Sequence, residues 1–127
     1  MRHQITMLGL AACLASASIT GCRSGGAYDV GRVQDAVGLV VRNDNFYDVD
    51  VYAIADVLAT RIGSVNGNAT QRFELSPSLS GAADLRIVAT PIGGNGRASS
   101  GQLFVSRGQT IFFTVAAQLR QSSATVH

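Results

Sequence analysis

The stretch VDVYA at residues 49–53 alternates strictly, with three apolar residues on one side of an extended chain and Asp50 and Tyr52 on the other. This period of two is typical of a half-buried β-strand, because successive side chains of a strand point to opposite faces of the sheet. No stretch of ten residues in the remainder of the chain carries a convincing helical stripe. The same alternation predicts further strands near residues 37–41, 58–65, 70–75, 85–89, 103–105 and 111–119.

This pattern predicts an all-β domain of about seven strands. Short antiparallel strands separated by turn residues resemble the immunoglobulin-like sandwich, in which two sheets pack face to face. A transthyretin-like sandwich and a small barrel are the alternative architectures. We expect the centre of the core to contain the largest inward-facing apolar side chains, Phe73, Ile87, Phe113, Val115 and Leu119.

Glycine and asparagine residues predict where the strands bend and turn. Asn66-Gly67 favours a two-residue hairpin between the third and fourth strands, because both residues tolerate positive φ. Gly63 lies inside the third strand and indicates a β-bulge. The glycine-rich segment 93–101 is predicted to be a flexible loop, since it has no Lys and is followed by a strand, unlike a phosphate-binding P-loop.

The N-terminus has the organisation of a secretory signal. Arg2 precedes about fifteen apolar or small residues, a stretch shorter than the roughly 20 residues that span a bilayer. The segment Ile19-Thr20-Gly21-Cys22 that follows resembles the lipobox of bacterial lipoproteins. That resemblance implies cleavage before Cys22, acylation (palmitate or a similar chain) of this cysteine, and anchoring of the mature chain in the cell envelope.

Two features refine this lipoprotein interpretation. In the lipoprotein class an Asp after the cysteine directs retention in the inner membrane, so Arg23 favours the outer membrane, facing the periplasm or the cell surface. Leu10-Ala11-Ala12-Cys13 also fits the lipobox pattern, although cleavage there would leave a signal of only twelve residues. Cys13 therefore stays open as the alternative lipidated residue.

The sequence thus divides into four segments. We predict a signal peptide at 1–21, a lipidated flexible tether at 22–35, a β-sandwich domain at 36–121 and a disordered C-terminal tail at 122–127.

The inventory of reactive side chains argues against catalysis. After removal of the signal, His127 is the only histidine and no lysine is present. A Ser-His-Asp triad, a Ser-Lys pair and a Schiff base each need one of these residues. The 10 basic residues are dispersed against 8 acidic ones, so no basic face is predicted for nucleic acid. We expect no enzyme activity, no cofactor, no metal and no nucleic-acid partner.

Residues 43–50, with the sequence NDNFYDVD, concentrate oxygen-bearing side chains. Calcium binds six to eight oxygen atoms, and Asp44, Asp48 and Asp50 could supply some of them. The spacing differs from that of an EF-hand loop, and no glycine is present at the sharp turn. We therefore interpret this segment as an Asn/Asp-rich turn that leads into a strand.

The same segment carries two adjacent aromatic residues, Phe46 and Tyr47. Aromatic side chains on a sandwich loop can stack on sugars or anchor a protein partner. Alternatively, they can close one end of the core. The predicted function is a structural or protein-interaction role at the envelope, and the alternative is a glycan- or peptide-binding module. Candidate contact residues are Asp44, Phe46, Tyr47, Asp48 and Asp50.

Overall fold

The computed structural model describes residues 36–127. The predicted signal peptide, the tether at 22–35 and both candidate lipidation sites, Cys13 and Cys22, lie outside the described residues. The strands are β1 Val37–Asn43, β2 Val49–Ala55, β3 Leu58–Val65, β4 Thr70–Leu75, β5 Leu85–Pro91, β6 Ala98–Ser99, β7 Thr110–Val115 and β8 Ser123–Val126. A short helix, α1, spans Pro77–Ser80, and a 3-10 turn spans Leu119–Gln121.

The strands form two four-stranded sheets, with the orders β4-β1-β7-β8 and β3-β2-β5-β6. The prediction of an all-β fold with two packed sheets is confirmed. The described residues contain eight strands instead of seven, and β1 pairs in parallel with β7, placing Leu39 beside Ile111. The arrangement therefore departs from a seven-stranded, fully antiparallel immunoglobulin-like sandwich.

The core lies between the inner faces of the two sheets. Alternate residues of each central strand are fully buried, as the period of two requires. Ile87, Phe113 and Val115 belong to this core, as predicted, whereas Phe73 and Leu119 are only partly buried at its margin. The buried set is Val37, Leu39, Val41, Val49, Val51, Ala53, Val65, Leu75, Leu79, Leu85, Ile87, Ala89, Ala98, Leu103, Ile111, Phe113 and Val115.

The predicted bulge at Gly63 is confirmed. Val51 pairs with Gly63 and Tyr52 pairs with Arg61, so Ile62 is the extra residue. The glycine also makes room for β4 of the other sheet, since a Cβ on Gly63 would lie 2.6 Å from the Phe73 ring. The missing side chain therefore lets a half-buried aromatic ring close this margin of the core.

The hairpin predicted at Asn66-Gly67 is wrong. These residues connect β3 to β4, and the two strands belong to different sheets. The two-residue hairpin lies instead between β2 and β3, where Asp56 adopts a φ of +54°. The residues of a turn do not by themselves show whether the next strand pairs with the preceding one. The pairing depends on which apolar side chains pack together in the core.

The C-terminal half differs from the prediction at three places. Leu103 makes only an isolated bridge to Leu85, and β6 forms inside the segment predicted to be a flexible loop. The tail predicted to be disordered contains β8, which pairs with β7. His127 exchanges two backbone hydrogen bonds with Thr110, of 3.0 and 2.7 Å, so the last residue is held against the first residue of β7.

The connections define two ends of the sandwich. We call the end formed by the β1–β2 loop, residues 44–48, the apex. Since β7 runs parallel to β1 and β5 runs antiparallel to β2, the loops after β5 and β7 also lie at the apex. We call the opposite end, where β1 begins at Val37 and the chain finishes at His127, the base.

Within residues 36–127, the helices are single turns, and none has the length and apolar character needed to cross a membrane.

Candidate functional site at the apex

Asn43 organises the apex from inside the protein. Its side chain is completely buried, although the sequence predicted only an Asn/Asp-rich turn at this position. The Asn43 amide nitrogen donates to the carbonyl oxygens of Tyr47, Val65 and Asn66, at 2.8, 3.3 and 3.1 Å. Its amide oxygen accepts a hydrogen bond of 3.0 Å from the backbone N–H of Asn45. One side chain therefore connects the β1–β2 loop to the β3–β4 connection.

Asn45 supplies the second internal support of the loop. Its amide nitrogen donates to the Ala117 carbonyl oxygen at 3.1 Å, and its amide oxygen accepts from the Tyr47 backbone N–H at 3.1 Å. The contacts of the Asn43 and Asn45 amide oxygens with the backbone N–H two residues further on are Asx-type turns, in which a side-chain oxygen replaces a backbone acceptor. The Asn/Asp-rich turn predicted here is confirmed, and its two asparagines face inward.

Neighbouring backbone segments hold the loop on three sides. Asp44 N–H donates to the Val115 carbonyl oxygen at 2.8 Å, and Ile92 N–H donates to the Asp48 carbonyl oxygen at 2.7 Å. Asn68 N–H donates to the carbonyl oxygen of Asn45 at 3.1 Å. The loop is therefore fixed by hydrogen bonds to elements of both sheets.

Gly67 allows one of these close approaches. A Cβ at this position would overlap the carbonyl oxygen of Phe46. The glycine of the Asn66-Gly67 pair is thus required for space, and the residue with positive φ in this turn is Asn68, at +57°.

The two aromatic residues of this supported loop face solvent. Phe46 is 88% exposed and Tyr47 is 52% exposed. The Tyr47 ring lies alongside Gly94, where a Cβ would be 3.5 Å from the ring, and Ile92 of the same β5–β6 loop is also exposed. Neither ring closes the core. Exposed apolar side chains on a fixed loop are typical of an interaction surface.

The acidic candidates of residues 43–50 do not converge on one point. Asp44 accepts a hydrogen bond of 2.8 Å from the Arg42 guanidinium, and Asp48 accepts one of 2.8 Å from the Gly67 backbone N–H. Among residues 36–127 there is no group of three His, Cys, Asp or Glu side chains placed to hold a metal ion. Each carboxylate at the apex instead fixes a neighbouring piece of backbone or side chain.

Asp50 points to the outer face of its sheet and belongs to a separate polar cluster. It accepts hydrogen bonds of 2.6 Å from the Ser64 hydroxyl and 2.8 Å from Arg61. The Ser64 hydroxyl and then the Arg61 guanidinium hold the pKa of the Asp50 carboxyl below its ordinary value, since both favour the charged form. Pairing between the neighbouring strands β2 and β3 explains this cluster. Asp50 therefore does not belong to the group of apex residues that we consider as the candidate site.

A shallow groove of mixed polar and apolar lining lies beside the aromatic loop and was not predicted from the sequence. Its volume is about 420 Å³, and it lies between the β5–β6 loop and the turn after β7. Nothing in the sequence indicated that these two segments lie together. The first was predicted to be a flexible loop, and the second was predicted to be the end of a strand. The groove is lined by Asn95, Gly96, Arg97, Gln118, Leu119 and Arg120.

The β5–β6 loop joins the groove to the aromatic residues. Gly94 lies against Tyr47, and two residues further on Gly96 lies against Leu119, where a Cβ would be 3.3 Å from the leucine side chain. Arg97 and Arg120 form no ion pair within the described part of the chain. The apex therefore combines exposed aromatic rings with two guanidinium groups along one surface.

The one imidazole of the described residues lies far from this surface. His127 is at the base, where its ring packs edge-on against Phe112 with centroids 5.7 Å apart. The apex thus offers hydroxyl, amide, carboxylate, guanidinium and aromatic groups, which are suited to binding.

No protein-family model and no curated protein matches this chain. Among solved structures, a protein from Eubacterium rectale determined by NMR is similar, with a TM-score of 0.47 and 11% sequence identity. The similarity covers 73% of this chain and 89% of that chain. The proposals that follow therefore rest on the residues of this chain.

Proposed function

We propose that this chain is a lipid-anchored envelope protein that acts as a non-enzymatic interaction module. The anchor is proposed from the lipobox-like sequence that ends at Cys22. Arg23, which follows it, supports an outer-membrane location facing the periplasm or the cell surface. The interaction role is supported by one observation above all, the 88% exposure of Phe46 on a loop fixed by buried asparagines.

The position of the aromatic loop fits this role. Residue 36 is at the base, so the proposed tether leaves the domain at the end opposite to Phe46 and Tyr47. An anchored domain with this geometry presents its exposed aromatic rings away from its attachment point. Burial of large aromatic side chains is a common source of binding energy at protein interfaces.

The anchor is tested by metabolic labelling with palmitate. Wild-type protein should carry the label, and Cys22→Ser should lose it, because the acylated sulfur is gone. Cys13→Ser is the matched control and should keep the label if cleavage occurs before Cys22. Labelling that survives Cys22→Ser and disappears in Cys13→Ser would move the anchor to Cys13. Absence of label in the wild-type protein would refute lipid anchoring.

The interaction role is tested by photocrosslinking in intact cells. A photoreactive phenylalanine analogue at position 46 should form a discrete crosslinked adduct with the partner. The yield of this adduct should fall when Tyr47→Ala is added. The matched control places the analogue at Phe104, which is 79% exposed but lies at the base. An adduct from position 104 and none from position 46 would contradict the assignment of the apex as the partner surface.

A glycan- or peptide-binding role is the second candidate, and the groove beside the aromatic loop favours it. Arg97 and Arg120 can pair with carboxylates, while Tyr47 can stack on a sugar or a side chain. Purified protein on an array of acidic and neutral glycans should give a signal that falls in the Phe46→Ala/Tyr47→Ala double variant. A signal that is unchanged in this variant would exclude the aromatic loop as the glycan site.

A further inference from the structure

The base of the sandwich carries exposed apolar side chains that neither the fold nor the proposed apex site uses. Val57, at the tip of the β2–β3 hairpin, is 100% exposed, and Leu58 beside it is 66% exposed. Phe104 is 79% exposed. Several large apolar side chains exposed at one end of a domain are a candidate contact surface for a protein or a membrane.

The strand pairing places these three residues at one end of the sheet β3-β2-β5-β6. The hairpin follows directly after β2, and Asp56 N–H donates to the Asp84 carbonyl oxygen at 2.9 Å, which ties the hairpin to the start of β5. Leu103 bridges Leu85 on the other side of β5, so Phe104 follows at the same end. The hairpin tip and Phe104 therefore flank the entry of β5.

The first described residue, Ala36, lies at this same end. β1 begins at Val37, at the base, and fourteen residues, 22–35, separate the domain from the proposed anchor at Cys22. A chain of this length spans at most about 50 Å when fully extended and about 20 Å on average when it is flexible. An acylated Cys22 thus keeps the base within reach of the bilayer surface.

We propose that the base contacts the bilayer to which the chain is anchored, with Val57, Leu58 and Phe104 entering the lipid interface. This inference rests on the lipid anchor of the proposed function and adds an orientation to it. A tethered surface needs only weak affinity, because attachment gives it a high effective concentration at its target. Apolar side chains of interfacial segments enter about 5–10 Å into the boundary between headgroups and acyl chains.

The charges at the base favour an apolar contact over an electrostatic one. Asp84 and Arg86 pair with each other at 3.3 Å, while Asp56, next to Val57, and Arg107, in the turn before β7, are both exposed. These charges of opposite sign offset each other, so the base has no net charge that would attract anionic lipids strongly. We therefore expect contact with zwitterionic phosphatidylcholine vesicles, with little dependence on salt concentration.

The absence of tryptophan from the sequence makes a direct test possible. Full-length acylated Val57→Trp protein, reconstituted into phosphatidylcholine vesicles, carries a single tryptophan. Its fluorescence should shift to the blue and be quenched by lipids brominated near the upper part of the acyl chains. Phe46→Trp at the apex is the matched control and should be neither shifted nor quenched. Both positions are almost fully exposed, so neither substitution disturbs the core.

A second variant pair tests whether the residues act as one surface. Phe104→Trp should be quenched by the same brominated lipids, and the quenching should fall severalfold when Val57→Asp and Leu58→Asp are added. Equal quenching of Val57→Trp and Phe46→Trp, or none at either, would overturn the proposed orientation.

Three further outcomes separate the alternatives. A blue shift of Val57→Trp that grows with protein concentration in the absence of vesicles would show that a second copy covers the base, and would overturn the lipid contact. Absence of an acyl mass on the mature N-terminal cysteine would overturn the proposed anchor and this inference with it. An acylated protein with an unquenched Val57→Trp would overturn the inference alone.

Discussion

Asn43→Ala should destabilise the domain strongly, although it removes a polar side chain next to a loop. The Asn43 amide has two N–H groups shared among three carbonyl oxygens, and its oxygen accepts from Asn45. The side chain is fully buried, so water does not replace these partners without rearrangement of the loop. The variant leaves several backbone groups of the apex without their partner.

The magnitude follows from the number of hydrogen bonds. Two amide hydrogens and one accepting oxygen correspond to three hydrogen bonds, each with a net contribution of about 1 kcal/mol. We expect a loss of roughly 3 kcal/mol, or a fall in Tm of roughly 12–24 °C at about 4–8 °C per kcal/mol for a domain of this size. This is a large part of the roughly 5–15 kcal/mol by which domains are stable.

The measurement is urea unfolding followed by circular dichroism, with the free energy of unfolding taken from the midpoint at constant m-value. The control is Asp44→Ala, the next residue, whose exposed ion pair with Arg42 should change the stability by less than about 0.5 kcal/mol. A loss below about 1 kcal/mol in Asn43→Ala would refute the view that this side chain holds the apex together.

Asn43→Asp gives an independent check of the same geometry. A carboxylate at this position faces three carbonyl oxygens, which raises its folded-state pKa above the unfolded value. The native state then binds more protons than the unfolded state, so the stability of the variant should fall as pH rises from 4 to 7. A variant that is more stable at pH 7 than at pH 4, relative to wild type, would contradict this reasoning.

Three further predictions concern the core, the apex and the Asp50 cluster. Phe113→Ala should cost about 3–5 kcal/mol in urea unfolding, because the ring is buried at the centre of the sandwich. Gly67→Ala should destabilise by more than about 1 kcal/mol because its Cβ overlaps a carbonyl oxygen, whereas Gly81→Ala, in open space, should be neutral or slightly stabilising. Because the folded-state pKa of Asp50 is lowered, its contribution to stability is present above the unfolded pKa and lost as pH falls through the folded pKa. Ser64→Ala should bring the Asp50 pKa back towards its ordinary value in an NMR titration, and an unchanged pKa would exclude the serine as the main cause.

Local alternation was sufficient to locate most of the strands. Residues 49–53 alternate between buried and half-buried side chains, and in 70–75 the half-buried Phe73 and the buried Leu75 alternate with exposed neighbours, so this pattern can be recognised in consecutive residues. The failures involve short edge strands. β8 has four residues, SATV, and only Ala124 and Val126 pack against the margin of the core, so its alternation is too short to stand out in the sequence.

The candidate site was predicted in part for the same reason. Phe46 and Tyr47 were singled out as an adjacent aromatic pair, but whether they face solvent or close the core depends on how the loop is supported. That support comes from Asn43 and Asn45, whose inward direction is decided by carbonyl groups far away in sequence, such as those of Val65 and Ala117. The groove joins segments about 20 residues apart and has no sequence signal.

The sequence by itself determined that the chain is all-β, where most strands begin and end, and that it carries a lipobox-like N-terminus. These properties depend on neighbouring residues, through the period of two and through short motifs. Only the tertiary structure decided that β1 and β7 run in parallel and that Asn66-Gly67 crosses between sheets. It also decided that the aromatic loop and Val37, where β1 begins, lie at opposite ends of the sandwich. These features depend on which apolar surfaces, distant in the sequence, are buried against each other. A linear pattern of apolar residues shows that a strand has a face to bury, but it does not specify which other strand covers that face.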